Sequence, residues 1–204
     1  MRMKDDHMQN GQLKPAYNVQ IAVENYFIIH TYISNDRTDY NTLIPVLEKH
    51  KRYLKNFPQE VTADSGYSSE ANLVYLKNNN IDSYIKLQMH EKMKTRAYKN
   101  DPGKFYNMEK IITENGVHFI CKDGRKLQYE RSEYRNHNGY RSNFEVYACK
   151  DCSGCEFKPH CLYKYNEEKD IHKNKVMKIN LLWETLKTES NNNVQSEKGI
   201  LYRQ

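Results

Sequence analysis

An α/β fold is expected over the first ninety residues, with a small antiparallel β region after it. Three observations lead there. Two adjacent runs near the N-terminus alternate between two faces, and helical and strand-like runs then alternate up to residue 90. Beyond residue 100 the helical period disappears and Asn-Gly and Asp-Gly dipeptides separate short apolar runs. The composition, with 12% aromatics and 17 tyrosines in 204 residues, is that of a chain that folds, although mean hydropathy is −0.98.

Residues 1–16 are polar, carry Gly11 and Pro15, and read as an N-terminal arm. Tyr17–Val23 and Tyr26–Ile33 read as two strands of a hairpin with Glu24-Asn25 as the turn. The capping-rich loop Ser34–Asp39 precedes a helix with Leu43, Val46 and Leu47 on one face. Pro45 is acceptable only in the first turn, where backbone N–H groups lack partners, so the start falls near Asp39–Asn41. Glu60–Asp64 reads as a short strand that breaks at Ser65-Gly66. Ser68 or Ser69 can cap the next helix, which turns Leu73 and Leu76 inward and stops at Asn78-Asn79-Asn80. Ile81–Leu87 is a further strand, and the strand–helix–strand order implies parallel pairing. Phe105–Ile112, Val117–Cys121, Lys126–Arg131 and Phe144–Ala148 read as antiparallel strands, with turns at Asn115-Gly116, Asp123-Gly124 and Asn138-Gly139. A helix is expected around Val176–Thr188, ending at Asn191-Asn192-Asn193.

Net charge is +6, and its position matters more than its size. Residues 92–178 hold 19 Lys/Arg against 12 Asp/Glu, while the rest of the chain is nearly neutral. A basic region of this kind attracts phosphate backbones by counterion release, or is simply a solvated surface. No apolar run approaches the roughly 18 residues of a membrane span, and no apolar core follows Met1–His7 as a signal peptide requires. A cytoplasmic protein without disulfides is therefore expected.

Three constellations could carry chemistry. Asp64 ends a strand and is followed by a small residue and glycine, so its carboxylate would project from the sheet edge where ligands gather in open α/β sheets. A carboxylate there suits Mg²⁺; it could equally cap the turn that follows. Cys149, Cys152, Cys155 and Cys161 fall within thirteen residues, and four soft ligands suit tetrahedral zinc. An iron–sulfur cluster and metal-free thiols are the alternatives, since the last gap departs from the ferredoxin spacing and four ligands in so short a stretch make a tight loop. His160 could replace Cys161, while Cys121 reads as an isolated, buried strand residue. Tyrosines and basic residues also interleave: Tyr129, Arg131, Tyr134, Arg135, Tyr140, Arg141, Tyr147, Tyr163, Lys164 and Tyr165. Such residues stack on bases and hold phosphates, or pack on a small sheet. His7 and His30 read as ordinary surface or strand residues.

Several of these residues together form a familiar pattern. Met1–Met8, Asn10–Ala22, Thr38-Asp39 with Thr42–Pro45, Ala63–Glu70, Cys149–Cys161 and Ser196–Gly199 resemble, in order, the middle of bacterial insertion-sequence transposases with a DDE domain. Ala16 and Ser65 stand where that family more often has Gly and Ala. The resemblance implies a truncated RNase H-like mixed sheet, a hairpin followed by αβαβ, with a cysteine-bearing antiparallel insertion and a C-terminal helix. The divisions it implies are an arm at 1–16, a partial DDE domain at 17–90, a basic insertion at 91–175, and a helix with a truncated tail at 176–204.

The same resemblance makes Asp64 the second acid of an Asp-Asp-Glu triad that holds Mg²⁺. It places the first aspartate upstream of Met1 and the glutamate beyond Gln204; Glu197 is not that glutamate. The expected function is that of a DDE transposase fragment, inactive alone. Its parent would be homo-oligomeric and would cut and join DNA at element ends and target. The basic, cysteine-bearing insertion, with a structural Zn²⁺, would hold DNA or a second protomer. A non-catalytic DNA-binding or interfering module is the alternative, and a small metal-binding protein unrelated to DNA is the third reading.

Overall fold

The computed structural model describes residues 8–12, 14–114 and 116–202. The chain separates into two compact units, one formed by residues 1–88 and 186–204, the other by residues 89–185. The second is therefore an insertion in the sequence of the first.

In the first unit, β1 (Asn18–Glu24) and β2 (Phe27–Ser34) pair as an antiparallel hairpin. The turn is Asn25-Tyr26, one residue later than the sequence suggests, and both residues have positive φ. The mirror-image turn matches strand twist, and here a tyrosine adopts the left-handed conformation that Gly or Asn usually fills. A 3-10 turn at Asp39–Asn41 leads into α1 (Leu43–Leu54), which buries Leu43 and Leu47 and carries Pro45 in its first turn. Next come β3 (Glu60–Ala63), α2 (Glu70–Asn78) and β4 (Asp82–Ile85). The Ser69 side chain caps α2, and Leu73 and Leu76 are buried as the spacing requires. β3 and β4 are parallel, Glu60 opposite Asp82 through Ala63 opposite Ile85. The hairpin and this parallel pair are separate two-stranded sheets, so the single mixed sheet expected from the sequence is not formed among the described residues.

The second unit opens with the helical turns α3 (His90–Lys94) and α4 (Arg96–Lys99). A meander follows: β5 (Glu109–Thr113), β6 (Gly116–Ile120), β7 (Lys126–His137) and β8 (Tyr140–Cys149). Short helices α5 (Lys158–Cys161) and α6 (Glu167–Asp170) come next, before β9 (Val176–Ile179). The sheet order is β5-β6-β7-β8-β9, all neighbours antiparallel. Phe105–Asn107 forms a 3-10 turn, so the first expected strand begins later. Asn138-Gly139, both at positive φ, makes the β7–β8 turn; Asn115 lies outside the described residues. Met108, Phe119, Leu127, Tyr147, Cys149, Cys152, Met177 and Ile179 form the core on one face.

The helix expected from Val176 begins only at Leu181, because Val176–Ile179 pairs with Glu145–Ala148 as an edge strand. Met177 and Ile179 point into the core and Val176 and Lys178 out, a period of two that favours a strand. The helix, α7 (Leu181–Gln195), runs past Asn191–Asn193, and α8 (Glu197–Leu201) follows. In the first unit Ser190 Oγ donates to the Ile85 carbonyl at 2.7 Å, and Asn193 Nδ2 to that of Ser83. The Ser196 side chain accepts from Gly199 N–H, and Lys198 and Tyr202 both engage Glu60 at the start of β3. Among the described residues, no helix is long and apolar enough to cross a membrane.

Candidate functional site

Asp64 sits at the C-terminal end of β3, one residue before the 3-10 turn Ser65–Tyr67. Its side chain is exposed, and Oδ1 accepts the Ser65 N–H at 2.6 Å. The carboxylate thus caps its own turn while keeping oxygens toward solvent. The turn is held by a polar network from three segments. Asn18 and Gln20 on β1 donate their side-chain amides to Asp39 Oδ1 at 2.8 and 3.0 Å. Asp39 Oδ2 packs on Gly66, where a Cβ would lie only 2.8 Å away, so a side chain there would push the Asp39 carboxylate aside. The Tyr67 hydroxyl donates to Gln20 Oε1. Buried Asn72 on α2 donates to the carbonyls of Tyr40 and Tyr67 at 3.0 and 2.9 Å. Burial, followed by the charges of Asp39 and Asp64, pushes the Tyr67 hydroxyl up, so it stays a donor at neutral pH. This network accounts physically for three of the sequence motifs: Asn18 with Gln20, Asp39, and Gly66-Tyr67 meet at one corner.

The Asp39 carboxylate is occupied by two amides and the glycine turn, which leaves Asp64 as the open carboxylate. Among the described residues, no group of three or more His, Cys, Asp or Glu is positioned to hold a metal ion. A recess of about 360 Å³ between α2, β4 and α7, with Lys77 and Glu189 on its wall, does not include Asp64.

In the second unit the cysteines converge. Cys149, Cys152, Cys155 and Cys161 line one small cavity of about 20 Å³, together with Arg125, Lys158 and Lys175. Cys121 lines it too. The isolated, buried strand residue expected from the sequence is instead half-buried, one residue past the end of β6. Only long-range folding brings it there, so no local spacing could have revealed it. His160 is exposed and does not line the cavity. Burial pushes the thiols of Cys149, Cys155 and Cys161 up, that of Cys149 to about 11, so without a ligand they are protonated at neutral pH. The same burial pushes the Lys175 ammonium down.

The tyrosine and arginine series divides between core and surface. Tyr147 is buried in the core. β7 has no β6 partner beyond Gln128 and the β8–β9 pairing ends with Glu145 opposite Ile179, so Glu133–His137 and Tyr140–Phe144 form a two-stranded ribbon extending past the sheet. On it Arg141 stacks on Tyr134 at 3.8 Å and Arg135 on Phe144 at 5.0 Å. Arg131 is neutralised locally by Glu130 and Glu133. His30 lies buried on β2, its ring edge-on to His50 at 5.3 Å, while His7 falls outside the described residues.

In comparison with protein-family models, residues 120–204 match the one described as "Transposase DDE domain". The matched span includes β7, β8, all four clustered cysteines and the Ser196–Gly199 motif; Asp64 lies before it. Neither the curated proteins nor the solved structures gave a match.

Proposed function

Taking the transposase DDE domain over residues 120–204 as the premise, we propose that this chain acts in DNA transposition as a DNA-binding part that does not cut DNA on its own. Support for the DNA role comes from the family match and from the β7–β8 ribbon. A two-stranded ribbon fits the DNA major groove, and Arg135 and Arg141 present cations held by aromatic rings. The reading also takes residues 17–90 to be part of an RNase H-like domain, with residues 91–175 as an insertion, and the working assembly to be a homo-oligomer on element ends and target.

Asp64 is proposed as the carboxylate that contributes to holding a divalent ion such as Mg²⁺ in the complete strand-cleaving centre. The described donors at this corner do not fit a two-ion site. Such a site needs several carboxylates shared between the ions, and here Asp64 offers the open one while Asp39 is engaged by Asn18 and Gln20. No cleavage step follows from these residues. That Asp64 is the open carboxylate among the described residues of this corner is the observation that favours a non-catalytic or interfering module over a self-sufficient nuclease. Cys149, Cys152, Cys155 and Cys161 are proposed as ligands of a structural Zn²⁺ on the chemistry of their thiols, the soft donors zinc takes, and on their shared cavity; as placed they do not form a metal-holding group.

The test combines two measurements on the purified chain. DNA retention should weaken steeply with salt, and incubation with Mg²⁺ and element-end DNA should yield no nicks. Mg²⁺-dependent nicking abolished by Asp64→Asn would replace this proposal with a catalytic one. Retention indifferent to salt would remove the DNA role.

A further inference from the structure

We propose that one face of the β7–β8 ribbon, carrying Tyr134, Asn136, Arg141 and Asn143, reads base edges in the major groove of duplex DNA, with Arg141 on guanine and the two asparagines on adenine. The inference rests on the DNA-binding reading above and deepens it: attraction to phosphates becomes recognition of sequence.

Residues directly opposite each other in an antiparallel pair share a face, and so do residues two apart on one strand. Tyr134 stands opposite Asn143 and Asn136 opposite Arg141, which puts these four together. Glu133, Arg135, His137, Tyr140, Ser142 and Phe144 take the other face. The two faces differ in exposure. All four of the first set are exposed, whereas Glu133, Tyr140, Ser142 and Phe144 of the second are half-buried. They differ in charge as well. The second carries Glu133, paired with Lys178 and Arg131. The first carries a guanidinium, a phenol and two carboxamides, so an anionic partner meets no like charge at these positions. Toward the sheet, Glu145 is the next residue of β8 on that face; it is half-buried and accepts the Tyr147 hydroxyl at 2.6 Å. Beyond it Tyr147 and Cys149 are core residues. The same strand face thus changes from apolar to hydrogen-bonding side chains where β8 leaves β9.

The side chains suit base edges. In the major groove guanine offers the acceptors N7 and O6, and adenine offers the N7 acceptor with the N6 donor. An arginine fork pairs with the first and a carboxamide with the second, each through two hydrogen bonds. Arg141 lies over the Tyr134 ring at 3.8 Å. Stacking engages the flat face of a guanidinium, fixes its plane and leaves its N–H edge for a partner. Asparagine is among the residues least suited to strands, so strand propensity does not account for two on one exposed face. Same-face neighbours on a strand lie about 6.8 Å apart, close to two base-pair steps of about 3.4 Å. Arg141 and Asn143 are therefore spaced to take a guanine and an adenine two positions apart. Arg135, on the opposite face, is left for phosphates, which position the protein without carrying sequence information.

The experiment is selection of duplexes from a random-sequence DNA pool by the full chain, followed by binding titrations at several salt concentrations. Enriched duplexes are expected to share a guanine with an adenine two positions away. Arg141→Lys, which loses the fork, and Asn136→Ala and Asn143→Ala should each relax the preference at one base by roughly 5–150-fold. Arg135→Ala should instead weaken binding to all sequences alike. Where a variant fails to fold by circular dichroism, the wild type decides. Replacing the selected guanine with 7-deazaguanine removes an acceptor from the major groove alone and should lower affinity several-fold. Salt-dependent retention without enrichment would overturn the reading face and leave the DNA role standing. So would a preference that survives all three variants of that face, one that Arg135→Ala disturbs as much, or one indifferent to 7-deazaguanine. Tighter binding to single strands than to duplex would overturn it in the same way. A wild-type chain without salt-dependent retention would remove both the reading face and the DNA role.

Discussion

Strand β1 turns Val19, Ile21 and Val23 to solvent and Gln20 inward, and its partner β2 exposes Ile28 and Ile33 while burying His30 and Ser34. The β7–β8 pair is arranged the other way round at its base, with Leu127, Val146 and Tyr147 buried and Gln128 and Glu130 outside. Both are antiparallel hairpins closed by turns of positive φ, yet only the second carries an apolar core on its own sheet. The first rests its polar face against α1, where Lys49 Nζ donates to the Thr31 carbonyl at 2.7 Å, and leaves an apolar stripe unmatched. Pairing geometry alone therefore does not decide which hairpin is stable; the face that finds an apolar neighbour does. An exposed apolar strand pair is also a template for unwanted association.

The contrast can be broken most forcefully in the core. Leu127→Ala should cost about 2–5 kcal/mol by removing a fully buried side chain from the five-stranded sheet, read out by urea denaturation. A loss as small as that of a surface change would mean the sheet is not the anchor of its unit. Gly199→Ala should come next, at about 2 kcal/mol or more, because a Cβ there would collide with the Asn193 carbonyl oxygen and backbone cannot yield as a side chain tip can. On the ribbon, Arg135→Ala with Arg141→Ala should leave stability nearly unchanged. They should lower DNA affinity and reduce the slope of log affinity against log salt by about 0.9 for each phosphate no longer neutralised. Ile21→Thr on the other hairpin should alter stability by no more than about 0.5 kcal/mol while improving solubility, measured by sedimentation of concentrated samples.

The smallest effect concerns pH. Burial, then the charges of His50 and Lys49, holds the His30 imidazole below its ordinary 6.5. The unfolded chain therefore takes up the proton first as pH falls. Stability tied to neutral His30 is complete above 6.5 and declines below it. His30→Asn should flatten that decline in denaturation midpoints between about pH 7 and 5, and an unchanged profile would assign the slope to other groups.

Local patterns make much of this legible. The alternation in β1 and β2, the Ser69 cap with Leu73 and Leu76, the β3–β4 parallel unit and the Asn138-Gly139 turn can all be read from neighbouring residues. Three features cannot. Tyr26 takes a conformation that no tyrosine advertises. Val176–Ile179 runs straight into a helix, so its two-residue period is hidden by the apolar Leu181-Leu182-Trp183 that follows. Cys121 joins the other thiols only because β6 and β8 flank β7. At the Asp64 corner the residues are individually visible, but their meeting through Asp39 is not, since amide-to-carboxylate bonds over about twenty positions leave no periodic trace.

The bond from Ser190 to the Ile85 carbonyl spans 105 positions. On the ribosome, α1, α2 and the β3–β4 pair emerge long before the helix that finishes their packing. Closing so long a loop as free chain is slow and entropically costly. If residues 89–185 fold first they shorten the effective tether, so the inserted sheet would act as an internal assembly aid for the half of the molecule that surrounds it in sequence, and damage to the former would delay maturation of the latter.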